Sequence, residues 1–173
     1  MIESTKKWVV QRPDSQLVQQ LQRNLDISAI AAKILVARGC TSEEQAASLL
    51  KIDEQYFHDP YAMHGMKEAV ERILQALEEG EKILVYGDYD SDGITSTTVM
   101  LNVLLDLGAD VDFMIPNRFT HGYGPHEELF RQAYENGVQL IITVDNGISG
   151  IEPIRVAKEL GMDVIVTDHH EAG

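Results

Sequence analysis

The chain has 173 residues, 44% hydrophobic and 24% charged, with 14 lysines and arginines facing 28 aspartates and glutamates. That suits one globular domain with at most a small appendage, and it excludes a disordered chain. No stretch approaches the roughly 18–20 unbroken apolar residues of a membrane helix, so no membrane partner is expected. A formal net charge of −14 argues against a general nucleic-acid coat protein, because phosphate binding draws on a basic surface.

Residues 1–81 read as a small helical segment. The opening MIESTKKWVVQRPDS lacks the apolar core and small-residue site of a secretory leader. Ser28 can cap a helix whose apolar positions Ile30, Ile34 and Leu35 share a face, with Gly39 just past its end. Cys40 is the only cysteine, which excludes an intrachain disulfide framework and fits a reducing, cytoplasmic compartment. Thr41 with Glu44 has capping-box spacing and starts a short helix through Leu50. After a loop from Asp59 to Gly65, Met66, Ala69, Val70, Ile73 and Leu77 mark a helix over 66–79 that Gly80 stops.

From Lys82 the pattern changes to short β-branched runs at 82–86, 110–115, 139–144 and 163–167. Helical stretches at 94–107, 127–136 and 153–160 separate them, each ending at or just before a glycine, and Pro153 suits a first helical turn. Alternation of this kind predicts an α/β fold, a parallel doubly wound sheet over 82–173 preceded by the helical segment.

Ligands of open α/β sheets bind beyond the carboxyl ends of the strands. The first run leads into GDYDSDG, with Asp88, Asp90 and Asp92 on alternate residues. The second leads into PNRFTHGYG, carrying Arg118 and His121; the third into Asp145; the fourth into Asp168, His169 and His170. A lone aspartate after a strand is ordinarily a helix cap, and a lone histidine a surface or core residue. Three acidic strand ends on one edge are a different matter, since neighbouring carboxylates cannot all stay ionised unaided. Divalent cations resolve the conflict, and mixed carboxylate and imidazole donors suit Mn²⁺ and tolerate Mg²⁺. Several carboxylates able to bridge favour two ions, an arrangement used for phosphoryl-ester hydrolysis.

Two competing readings fail. Asp88-x-Asp90-x-Asp92-Gly93 matches half an EF-hand, yet Val99 stands where the bidentate Glu is needed and a strand precedes the loop. A dinucleotide site needs glycines and bare N–H groups where this turn offers acids. His58, His64 and His126 lack ligand spacing and read as structural or surface residues.

VYGDYDSDGITST, ITVDNGIS and VTDHHE resemble, in order and spacing, the first three motifs of the DHH phosphoesterase superfamily. The segments KKWVV, LVARGCTSEEQAASLL, FHDPYAMHGMKEAVERI, GEKILVYGDYDSDG and IPNRFTHGYG extend the resemblance to its single-strand-specific DNA exonucleases through essentially the whole chain. The resemblance implies hydrolysis of single-stranded DNA from the 5′ end, with Mn²⁺ or Mg²⁺, in DNA repair and recombination. It implies metal ligation by Asp90, Asp92, Asp145 and His169, with Asp145 as the bridge. Asp88, Asp168 and His170 are implied either as ligands or as groups holding ligands and the attacking water. Adjacent side chains of an extended strand end point apart, which ranks His170 below His169 as a ligand and leaves it for the scissile phosphate. Arg118, with His121 beside it, is the candidate phosphate contact, its planar fork able to hold two oxygens.

That superfamily has a fourth aspartate motif and a second domain, so by resemblance this chain reads as the N-terminal catalytic region, truncated after the DHH and weakly active or inactive alone. The alternatives are another DHH phosphodiesterase, acting on short oligonucleotides or cyclic dinucleotides, and a binding module with a degenerate site. Residues 82–173 carry 15 acids and 5 bases, and five of those acids are the strand-end aspartates, so the local charge at the site depends on the metal. The acidity therefore does not exclude DNA.

Overall fold

In a computed structural model, Val9, residues 12–50 and residues 57–172 are described; apart from Val9, the KKWVV opening lies outside them. The chain forms two compact units, up to Pro60 and from Tyr61.

The first unit holds α1 (Ser15–Asn24), α2 (Ala29–Ala37) and α3 (Glu43–Leu50) around Val18, Leu21, Ala32, Leu35, Cys40 and Ala46. The Asp14 carboxylate caps α1 and the Ser28 hydroxyl caps α2, accepting from Ala31 N–H at 3.1 Å. At the far end of α2, left-handed Gly39 (φ 94°) lets Cys40 N–H return to the Leu35 carbonyl. Two expectations need correction here. Of the three residues expected on one face only Leu35 is buried, together with Ala32, while Ile30 and Ile34 are exposed. The segment AIAAKILVA is apolar almost all round, so periodicity could not choose its inner face. The cap of α3 is shifted by one residue. Ser42 Oγ accepts from Gln45 N–H at 3.2 Å, and the Gln45 amide oxygen accepts from Thr41 N–H at 2.9 Å. Ser42 thus caps the helix in place of Thr41, and Gln45 replaces Glu44 as the residue whose side chain reaches back to Thr41 N–H.

The second unit is a four-stranded parallel sheet in the order β2-β1-β3-β4, made of β1 (Lys82–Tyr86), β2 (Asp110–Met114), β3 (Val138–Val144) and β4 (Asp163–Thr167). Its helices are α4 (Met66–Glu79), α5 (Ser91–Asp106), α6 (Glu127–Glu135) and α7 (Ile151–Glu159). Helices cover both faces, as a doubly wound sheet requires. On one, Ile73 and Ala76 of α4 and Met100 and Leu104 of α5 pack against Ile83, Val85, Leu140, Ile142 and Val144. On the other, Leu129, Phe130 and Ala133 of α6 and Ala157 of α7 meet Leu84, Tyr86 and Ile141. Successive strand residues alternate between the two cores, and the central β1 and β3 are apolar on both sides. The helix read within the N-terminal segment, α4, thus belongs to the sheet's unit.

The register between β1 and β3 shifts once. Lys82 pairs with Val138 but Ile83 pairs with Leu140, so Gln139 is an extra, exposed residue. Beyond it the pairing is regular through Tyr86 and Thr143. Chain order reverses between β1 and β3: β2 lies on one side of β1, and β3 and β4 on the other. The carboxyl ends of β1 and β3 therefore flank the switch point where such sheets bind ligands. No helix among the described residues is long and apolar enough to cross a membrane.

Candidate metal centre

Each strand end is held by its own local chemistry. After β1 the chain enters α5, whose N-terminus is capped by Asp90. One carboxylate oxygen accepts from the N–H groups of Asp92 (3.0 Å) and Gly93 (2.9 Å). The ordinary role of an aspartate after a strand is thus real at Asp90, and it leaves the second oxygen free of the cap. Gly93 permits the close approach, because a Cβ there would lie 2.4 Å from the Asp88 carbonyl oxygen.

After β3, Asp145 adopts a left-handed backbone (φ 62°), uncommon for a residue with a side chain. The turn is locked from below. Asp145 N–H donates to the Thr167 carbonyl at 3.0 Å, and Thr143 Oγ1 to the Asn146 carbonyl at 2.8 Å. The buried Asn146 amide donates to the carbonyls of Val144 (3.0 Å) and Tyr86 (3.4 Å). The strain serves to aim one carboxylate.

The result is a cluster. Donor atoms of Asp88, Asp90 and Asp145 lie within 4.8 Å of one another, as do those of Asp145, His169 and His170. Asp145 belongs to both sets. Asp88 and Asp145 are buried, and Asp88 Oδ1 and both Asp145 oxygens have no hydrogen-bond partner. His169 Nε2 stands 3.0 Å from Asp145 Oδ1, but without hydrogen-bond alignment. Burial, joined by the charge of Asp90, raises the affinity of Asp88 and Asp145 for a proton. Asp90 moves the opposite way, held below the usual carboxylate range first by the Gly93 N–H. Buried unpaired carboxylate oxygens are costly unless a cation completes them, so these donors fit Mn²⁺ or Mg²⁺.

Asp168 and His170 form a separate pair. His170 Nδ1–H donates to Asp168 Oδ1 at 2.7 Å, while Ile148 N–H and His170 N–H donate to the same carboxylate. Burial pushes Asp168 up, but those three donors outweigh it and leave it below its ordinary value. The His170 imidazole, bonded to Asp168, takes a proton more readily than usual. The expected divergence of the two histidines does not occur. Their ring centroids are 4.3 Å apart, because β4 ends at Thr167 and the backbone bends at His170.

Asp92 lies in the first turn of α5 and faces, with Asp145, Asp168 and His169, a cleft of about 900 Å³ beside β4. The loop after β2 brings Arg118 to the site, where it stacks over the Tyr89 ring at 5.1 Å and its charge partly offsets the rise at Asp88. His121 does not join it there. The His121 Nδ1 accepts from Asn117 N–H at 3.1 Å, so the ring is engaged within its own loop and stands outside both donor clusters.

Sequence reasoning missed Tyr123 as a site residue. Its hydroxyl lies 3.1 Å from His170 Nδ1 and donates to the Asp145 carbonyl at 3.4 Å. The signal was the GYG that follows His121, whose two left-handed glycines turn the chain back over the site.

The fold and the strand-end cluster define an α/β domain with a candidate divalent-metal site, and the chain belongs to the DHH family, whose N-terminal domain matches residues 82–173. Over all of its 173 residues the chain is 52% identical to the single-stranded-DNA-specific exonuclease RecJ of Bacillus subtilis (strain 168), and it spans 22% of that protein. A crystal structure of exonuclease RecJ bound to manganese matches with 41% identity and a TM-score of 0.60, over 64% of this chain and 29% of that one. RecJ from Thermus thermophilus in complex with Mn²⁺ matches with 32% identity and a TM-score of 0.65, over 93% of this chain and 22% of that one.

Proposed function

We propose that this chain is the N-terminal catalytic region of a 5′→3′ exonuclease on single-stranded DNA, a cytoplasmic enzyme of DNA repair and recombination. Residues 82–173, with α4 packed on their sheet, form its catalytic α/β domain, and the helices before α4 its N-terminal segment. The observation that carries the reading is the convergence of Asp88, Asp90 and Asp145 on the switch point of the sheet, with buried unpaired oxygens on Asp88 and Asp145. The similarity to RecJ proteins over the whole chain supports the choice of substrate.

Asp90, Asp92, Asp145 and His169 would hold two divalent ions, Mn²⁺ or Mg²⁺, with Asp145 shared between them and Asp88 against the same cluster. When bound, such ions oppose the charge of the phosphoryl group and make water nucleophilic at neutral pH. The protein's own residues do the rest. Asp168 fixes the His170 ring by its Nδ1–H, which leaves Nε2 to exchange a proton with a phosphate oxygen or with water. Arg118, held over Tyr89, supplies a planar cation for the phosphate.

The test is Mn²⁺-dependent digestion of a long single strand by the intact enzyme, with dinucleotides and polyphosphate as competing substrates. Asp90→Ala should lower the rate by more than about 100-fold, the upper range for losing a residue that only supports a ligand. Near-normal digestion by that variant, or a preference for the small substrates, would overturn the proposal.

A further inference from the structure

Phe119 is 95% exposed, the most exposed large apolar residue among those described. It stands at the tip of the loop after β2, between Arg118 and Thr120. The backbone beneath it is fixed. Phe119 N–H donates to Asn117 Oδ1 at 2.9 Å, and the N–H groups of Thr120 and His121 donate to the Asn117 carbonyl at 3.2 and 2.8 Å. Only the ring is left without work.

From these observations we infer that Phe119 is a stacking platform for a nucleobase of the strand whose phosphate is held beside it at Arg118. The inference rests on the proposed action on single-stranded DNA and deepens it. Three features favour a base over a protein segment. The ring is flanked in its loop by the polar Asn117, Arg118, Thr120 and His121, whereas the core of a protein interface is depleted in charge. The adjacent guanidinium lies over the Tyr89 ring, between Asp88 and Asp90 in sequence, which sets a cation for the backbone next to an aromatic for the base. The preorganised loop spares the complex the cost of ordering it. Stacking of this kind does not depend on base identity, because every base presents a π face.

The experiment measures binding of the intact enzyme that contains this chain, with Mn²⁺, to a 5′-phosphorylated, phosphorothioate-linked dT oligonucleotide carrying 2-aminopurine at one of its first three positions. Wild type should quench the probe. Phe119→Ala should bind about tenfold more weakly and abolish the quenching, while Phe119→Tyr restores both. Replacing the stacked base by an abasic site should make wild type and Phe119→Ala equal. Equal binding of the intact oligonucleotide by wild type and Phe119→Ala overturns the inference and leaves the exonuclease reading standing. A lower melting temperature of Phe119→Ala with unchanged affinity also overturns it, since the ring would then be covered by protein. Absence of binding by wild type overturns the inference and the reading beneath it together.

Discussion

Replacing Asp145 by Asn should make the metal-free protein more stable and nearly blind to Mn²⁺. The Asp145 side chain is buried, with both oxygens lacking a hydrogen-bond partner and Asp88 and Asp90 within the same 4.8 Å cluster. Asn keeps the shape, tolerates the left-handed backbone and offers an N–H to the neighbouring carboxylates. Removing an unsatisfied buried charge should return about 1–3 kcal/mol to the metal-free fold. At about 2–4 °C per kcal/mol, that is a rise in Tm of ~2–12 °C. Saturating metal works in the other direction. At a hundred times Kd, Mn²⁺ should stabilise the wild type by about 2.7 kcal/mol, or ~5–11 °C. The variant should gain less than about 2 °C, by the same conversion of a binding energy below ~0.5 kcal/mol. The assay is a thermal melt of both proteins with EDTA and across a Mn²⁺ titration. A lower metal-free Tm for Asp145→Asn, or an undiminished response to Mn²⁺, would refute the account of the site as a carboxylate cluster awaiting cations.

Three further outcomes are expected. Gly93→Ala should cost about 3 kcal/mol in urea unfolding, the upper end for overpacking, because the new methyl meets the Asp88 backbone at 2.4–2.6 Å; no loss, or the gain of about 1 kcal/mol that helix propensity alone gives Ala over Gly, would contradict the close approach. Ser42→Ala should cost about 1 kcal/mol and Thr41→Ala less, since it is Ser42 Oγ that accepts from Gln45 N–H; the reverse order in denaturant melts would restore the unshifted cap. Burial, helped by the neighbouring His121, keeps the His126 imidazole below its usual pKa. Protonation therefore favours the unfolded chain, so this histidine costs nothing above about pH 6.5 and progressively more as pH falls below it. His126→Gln should lose less stability than wild type between pH 7 and pH 5, and parallel pH profiles would remove His126 from the account.

The strands were legible because β1 and β3 are apolar on both faces and their ends carry chemistry instead of turn residues. Lys82–Tyr86 and Asp163–Thr167 fall where the β-branched runs place them, and β2 and β3 differ by one residue at one end. The helix starts were harder. α5 begins at Ser91 and not near Ile94, because Asp90 caps it with one oxygen while its other stays in the site. A motif read for metal chemistry hid a helix cap. Topology brings the strand ends to one edge, where Asp88, Asp90, Asp145, His169 and His170 share two donor clusters while Asp92 and His121 stand outside both. Their side-chain geometry was not legible: the close approach of His169 and His170 depends on a bend after Thr167, and Tyr123 reaches His170 across 47 residues. No local periodicity encodes either contact.

The extra residue at Gln139 also bears on how this fold tolerates changes of length. β3 carries its slack at the amino end, remote from the carboxylates, where one residue can be absorbed before regular pairing with β1 resumes at Leu140. An insertion or deletion there alters the entry to the strand. The same change between Leu140 and Val144 would exchange the residues facing the two cores and carry Asp145 out of place. Variation in length is thus expected to collect upstream of Leu140, leaving the distance from there to Asp145 fixed.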